Sequence, residues 1–294
     1  MLTRILAPIL CALLAVASGC DQQPDPVVVA PVPAPTPPKP ADSKLALDWR
    51  DVVAVEPDPA VVTDAAARAR MTATKLPWKV RDRETGIVML LCPPGEFMMG
   101  SPASQVGRKG DEAQHSVTIT KAFYLSETEV TQEVWQKVRG ANPSKYKGAN
   151  NPVELVSWND CQKFCQSSGL RLASESEWEY ACRAGTTGVY AGDLASMAWF
   201  GDNSGDSTHP VKQRKPNAWG LYDMHGNVWE WCEDGYAKSA SSTQQALSGN
   251  AEERVVRGGG FGNKASFSRS ASRFNNDPEL PSCNFGFRVA RTSE

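Results

Sequence analysis

The chain has 294 residues, 41% of them hydrophobic, with a formal net charge of −2 and a pI near 6.0. That length and composition supply a substantial core for one large or two ordinary domains. The 31 basic residues are scattered and make no electropositive face, so nucleic acid is set aside as a partner.

Residues 1–19 read as an export signal, with Arg4 as the positive end, an apolar core at 5–16 and the small residues Ala17-Ser18-Gly19 at its close. Small residues followed directly by Cys20 resemble a bacterial lipobox, so Cys20 is the expected lipidation site; the alternative is an ordinary secretory signal with an incidental cysteine. The apolar run is too short to span a bilayer well. A multiply acylated terminus would hold the protein to a membrane, each buried CH₂ contributing about 0.8 kcal/mol. The expected location is therefore the cell envelope, as a periplasmic or surface lipoprotein.

Residues 20–45 are a Pro-rich tether, whose Pro, Val and Ala tract at 24–40 favours extended polyproline geometry. Residues 46–75 form an N-terminal helical extension, with one helix predicted over 58–74. Residues 76–294 read as a single domain without internal repeats. Within it, 86–91 is a strand candidate, ended by a turn at Pro93-Pro94-Gly95, and Val117 and Ile119 alternate as in a half-buried strand. Val134 and Val138 mark a short helix over 131–138. A second helix follows Ser157, carries Cys161, Phe164 and Cys165, and stops at Gly169. Ser174 and Glu177 make a capping box that opens a third helix through Tyr180. Past Cys182 the chain is rich in Gly, Asn, Asp and Ser, which predicts irregular structure held by buried tryptophans and small pieces of sheet.

Beyond Cys11 and Cys20 there are six cysteines: Cys92, Cys161, Cys165, Cys182, Cys232 and Cys283. An even count in an exported chain suggests disulfides, with fifteen possible connectivities. The expected pairs are Cys182 with Cys232, and Cys283 with Cys161 or Cys165. Cys161 and Cys165, one helical turn apart, are also a candidate redox or soft-metal pair. No cysteine lies between Cys232 and Cys283.

Many short motifs occur in one order: Pro93-Pro94-Gly95-Glu96-Phe97-Met98-Met99-Gly100, Glu129-Val130-Thr131, Pro152-Val153 with Val156-Ser157-Trp158, and Arg171-Leu172 with Glu175 to Glu179. Gly220-Leu221-Tyr222-Asp223-Met224, Gly226-Asn227-Val228-Trp229-Glu230-Trp231, Arg257-Gly258-Gly259-Gly260-Phe261 and Asn284-Phe285-Gly286-Phe287-Arg288 follow. Together they resemble the formylglycine-generating-enzyme, or sulfatase-modifying-factor, family across nearly all of 76–291. The resemblance implies an α+β, C-type-lectin-like fold with little regular secondary structure, in which Trp158, Trp178, Trp229 and Trp231 are core.

Fold does not decide function, and members of this family differ in chemistry. The copper-dependent oxidases need two thiolates for Cu(I) between the last two motifs. Here Asn263, Lys264, Ser266, Ser268 and Ser270 stand instead, so no copper is expected. The iron-dependent sulfoxide synthases use three histidines, two from an extra four-helix region that residues 41–75 cannot hold. His209 and His225 either approach each other in a loop-built cleft or make local hydrogen bonds. The pyoverdine-maturation member is periplasmic and also lacks the cysteine pair.

A Ca²⁺ site is implied by the resemblance at Asp223, Gly226, Val228 and Glu230, oxygen donors that suit a hard cation; the alternative is that Glu230 pairs within a tight turn. Trp199 replaces an Asn ligand of the family's other calcium site. The candidate cleft residues are Asn263, Ser268, Arg269 and Arg273, where two guanidinium forks could face a carboxylate or phosphate, or pair with Glu or Asp. The expected function is a ligand- or protein-binding module at the envelope, its partner an envelope protein or a small molecule. The alternatives are an oxidoreductase with a non-thiolate site, and maturation of a sulfatase cysteine to formylglycine by an unusual route.

Overall fold

Strand β1 (Arg50–Ala54) begins a six-stranded sheet in the computed structural model, which describes residues 49–237 and 252–293. The expected export signal, the Cys20 lipidation site and the tether lie outside the described residues. The other strands of this sheet are β2 (Lys79–Asp82), β3 (Val88–Cys92), β6 (Phe123–Ser126), β7 (Arg171–Leu172) and β12 (Val289–Thr292), in the order β1-β2-β3-β6-β12-β7. All its pairings are antiparallel, with Leu90 opposite Leu125 and Ala290 also opposite Leu125 on the other side. Every residue of β6 is buried, because this central strand is covered on both faces.

Strands β4 (Gly95–Met99) and β5 (His115–Ile119) form a separate hairpin. A second sheet, ordered β10-β9-β8-β11, combines β8 (Trp229–Gly235), β9 (Arg254–Arg257), β10 (Arg273–Asn276) and β11 (Phe285–Gly286). It carries the motifs on which any site must be built.

The helices are α1 (Ala65–Ala73), α2 (Gln132–Arg139), α3 (Trp158–Ser168), α4 (Glu175–Arg183) and the single turn α5 (Leu194–Met197). The expected capping box forms, with the Ser174 hydroxyl accepting from the Glu177 amide at 3.2 Å, and a second one opens α3, where the Ser157 hydroxyl accepts from the Asp160 amide at 3.1 Å. Gly169 ends α3 in the left-handed region, as glycine permits. Trp135 stacks on Phe164 at 5.7 Å between ring centres, and Phe287 meets both edge-on. Trp178, Trp219 and Trp231 are fully buried, each such ring contributing about 2–3 kcal/mol through lost water contact.

Three expectations are corrected. The helix predicted over 58–74 begins only at Ala65, because Asp64 caps it by accepting from the Ala66 amide at 2.9 Å. The extension is not only helical, since β1 joins the sheet. Gly95, expected in a turn, opens β4; its backbone passes so close to the Tyr180 hydroxyl that any Cβ would collide with it.

Candidate functional site

Helix α4 sets the electrostatics of the segment 257–273. Glu175, Glu179 and Arg183 recur every four residues and so share one helix face, and all three are buried. Glu179 receives Arg183 at 2.9 Å and makes a short ion pair with Arg257. Glu175 receives Arg273 through a bidentate pair at 2.6 and 2.8 Å. Arg257 also donates to three successive carbonyls, those of Ser270, Ala271 and Ser272, which fixes the path of the chain after the turn.

The two candidate guanidinium forks are thus already engaged. Arg269 is bidentate to Glu112, with both contacts at 2.6 Å, and is only 2% exposed. Arg273 donates further to the carbonyls of Asp111 and Ala237. Planar fork-to-carboxylate pairing away from water satisfies both charges, so neither arginine presents an unpaired fork.

Asn263 closes the turn after the glycines: its Oδ1 accepts from Trp229 Nε1 at 2.7 Å and from the Gly260 amide at 3.1 Å. Ser268 is wholly buried, and its hydroxyl has no partner among the described residues. Its carbonyl accepts from His225 Nδ1 at 2.7 Å, while His225 Nε2 accepts from the Ala191 amide at 3.1 Å. One nitrogen faces an acceptor and the other a donor, so the ring is the neutral Nδ1–H tautomer. Burial accordingly pushes its pKa down to about 4. His209 is held by the Ser204 carbonyl at 2.7 Å and stacks on Trp199, whose other contact is Arg214, 3.6 Å from the ring centre. His209 thus bonds locally, whereas His225 ties together segments 34 and 43 residues away in sequence.

What this region leaves open is aromatic. Phe274 is 40% exposed and lies 5.6 Å from Trp229 between ring centres, with Phe267 beside them. Lys109 Nζ stands 5.0 Å from the Phe267 ring centre and 5.8 Å from that of Phe274. Asn284 Oδ1, without a partner among the described residues, faces the same side of Gly260 as Asn263 Oδ1. The sequence reading missed Lys109, Phe267 and Phe274, for no motif contains them.

The loop 223–230 behaves differently. Asp223, Gly226 and Asn227 all have positive φ, and a Cβ at Gly226 would run into the Trp199 carbonyl. Asp223 Oδ2 accepts from the Lys212 amide at 2.7 Å, but its Oδ1 is buried with no donor among the described residues. Glu129, not foreseen from sequence, is buried nearby and receives only long contacts, 3.2 Å from Asn227 Nδ2 and 3.4 Å from the Val228 amide. Glu230 is fully engaged by Arg288 at 2.6 and 2.7 Å and by Trp178 Nε1 at 2.6 Å. Burial pushes the Asp223 carboxyl up to about 6, and burial together with Asp223 and Glu230 raises Glu129 strongly. Of the expected calcium ligands, Asp223 keeps a free oxygen and Glu230 does not. Among the described residues no three His, Cys, Asp or Glu side chains are grouped to hold a metal.

The expected disulfides are also corrected. Cys92, Cys161, Cys165, Cys182 and Cys232 are free and buried. Cys182 Sγ faces the Met224 carbonyl at 3.7 Å and Cys232 Sγ the Glu230 carbonyl at 3.9 Å, so these two do not bridge each other. Cys161 and Cys165 point into the core from α3, and neither bridges Cys283. Burial raises all five thiols, to about 12 for Cys165 and Cys182, so none of them stands as a ready thiolate in the folded chain.

Residues 77–293 match the family model described as a sulfatase-modifying factor enzyme 1-like domain. The formylglycine-generating enzyme of Streptomyces coelicolor is 35% identical over 54% of this chain and 61% of its own length. An inactive C-alpha-formylglycine-generating enzyme 2 from Bos taurus is 34% identical over 61% of this chain and 63% of its own. The chain therefore spans just under two thirds of each of these relatives. The structure of PvdO from Pseudomonas aeruginosa superposes with a TM-score of 0.67 at 31% identity, over 73% of this chain and 97% of that one.

Proposed function

The chain belongs to the sulfatase-modifying factor enzyme 1-like family, and from that premise we propose that it is a binding module of the cell envelope that does not carry out copper–thiolate oxidation. One observation carries this reading. The segment 257–273 contains no cysteine, and three of its four ionisable side chains, Arg257, Arg269 and Arg273, are spent on buried ion pairs with α4 and Glu112, the fourth being the exposed Lys264. Two sulfur ligands are what Cu(I) requires, and amide or hydroxyl oxygens do not substitute. The surface left for recognition is the exposed Phe274 and half-buried Phe267, backed by the buried Trp229, with Lys109 and the side-chain amides of Asn263 and Asn284. It suits an extended protein or peptide segment offering an apolar side chain and carbonyl or carboxylate oxygens. The relative named as inactive supports the same direction.

A structural Ca²⁺ belongs to this proposal. Two buried carboxylates with unspent acceptor capacity, Asp223 Oδ1 and Glu129, suit a hard cation, with the Gly226 and Val228 carbonyls that the family resemblance implies as further donors. Bound there, it would neutralise charge and hold the loop, and it would take no part in a reaction. Acylation at Cys20 would place the module at a membrane surface.

Elemental analysis of the protein purified from its native envelope tests the proposal. About one equivalent of calcium with neither copper nor iron is expected. Stoichiometric copper or iron would instead support an oxidoreductase with a non-thiolate site.

A further inference from the structure

A second concave site lies away from the segment 257–273, where α1 of the extension meets β4 and the C-terminal end of α4. It is a cavity of about 320 Å³, lined by Arg70, Phe97, Tyr180, Thr186 and Trp219 with Asp64 and Glu96 at its acidic edge. That is the lower end of the size range of small-molecule sites. Its floor is aromatic: Phe97 lies 5.2 Å from Tyr180 between ring centres, and Trp219 meets Tyr180 edge-on at 4.9 Å.

The wall opposite this acidic edge carries two donors without acceptors. Trp219 Nε1 and Thr186 Oγ1 are buried with no partner among the described residues, although an indole N–H can only donate. Leaving a buried donor without an acceptor is costly, and native interiors rarely do so without a reason. The polar groups around them are already engaged. The Tyr180 hydroxyl donates to the Pro93 carbonyl at 3.0 Å and accepts from Arg70, and Arg183 is shared among Glu179 and the Gly100 and Gly188 carbonyls. Asp64 Oδ1 caps α1 and Glu96 takes the Ser116 hydroxyl. What remains is the Arg70 guanidinium, which keeps further N–H donors beyond the one at the Tyr180 hydroxyl, and two neutral donors without partners among the described residues.

We propose that this cavity binds a small carboxylate with an apolar body, its carboxylate meeting Arg70, Thr186 Oγ1 and Trp219 Nε1 and its body resting on Phe97 and Tyr180. The site is independent of the patch around Phe274. It also gives the N-terminal extension a role, because Arg70 lies outside the matched domain of residues 77–293.

Benzoate is a suitable probe, with benzyl alcohol as its uncharged counterpart, read by ¹H–¹⁵N spectra of the whole chain. Nine indole N–H signals are available, and Trp219→Phe identifies the one in question while keeping a ring in place. Benzoate should move that signal saturably, and benzyl alcohol should not. Arg70→Gln, at an exposed position, should weaken benzoate binding about tenfold, the loss expected for one charge-assisted pair, and Arg70→Lys should restore part of it. Absence of any saturable shift with benzoate, or an affinity unchanged in Arg70→Gln, overturns the proposal.

Discussion

The segment 257–273 and the loop 223–230 both bury charge in the second sheet, and they balance it in opposite ways. In the first, Arg257, Arg269 and Arg273 meet Glu179, Glu112 and Glu175, with bidentate geometry at Arg269 and Arg273. In the second, Asp223, Glu129 and Glu230 share a single buried cation, Arg288, and Glu230 takes most of it. A self-neutralised segment has no use for a further ion, whereas an acidic loop is relieved by one. Residue type alone therefore does not mark a site; the balance of charge that folding leaves does.

The sharpest way to break the comparison is to unbalance the first region. Arg257→Ala should lower stability by about 3–5 kcal/mol in urea unfolding, because Glu179 is left buried beside one remaining guanidinium, that of Arg183. A cost under about 1 kcal/mol would mean that the ionic lattice does not hold the segment. The second region should respond to a cation instead. With free Ca²⁺ about a hundredfold above its dissociation constant, unfolding should shift by about 2.7 kcal/mol, measured as Tm against a chelator control.

The sign of the pH dependence follows from Asp223, whose carboxyl rises from 3.8 to about 6 on folding. A raised carboxyl favours the folded chain below its unfolded value. In chelator, its contribution is therefore lost as pH climbs through the window from 3.8 to about 6. The Ca²⁺-induced gain in Tm should consequently be larger at neutral pH than in acid, where the ion must displace protons. Asp223→Asn should abolish most of that gain while leaving the chelated protein at least as stable as the parent at neutral pH. An unchanged calcium response would remove the loop from consideration. The smallest effect concerns the scaffold: Ser174→Ala should cost about 1 kcal/mol through loss of the α4 cap that helps present Glu175 and Glu179.

The fold was legible because its signals are local. Ser157, Ser174 and Gly169 announce helix ends within a few residues, and the glycine-rich motifs name the family. Strand β1 was not legible: Asp51, Val52 and Val53 are all exposed on an edge strand, so no alternation of polar and apolar residues betrays it. The partners of the cleft arginines were invisible for another reason, since Glu112 lies 157 residues from Arg269 and Glu175 lies 98 from Arg273. Glu129 reaches Asn227 across 98 residues in the same way. The disulfide expectation rested on an even count of cysteines, and a count carries no information about which thiols the core keeps apart.

The most direct measurement is a mass-spectrometric assay of a sulfatase-type cysteine peptide incubated with the protein, Cu(I) and dioxygen. The account predicts that the peptide thiol is converted no faster than in a control without protein. Formation of the peptide aldehyde above that control would contradict it.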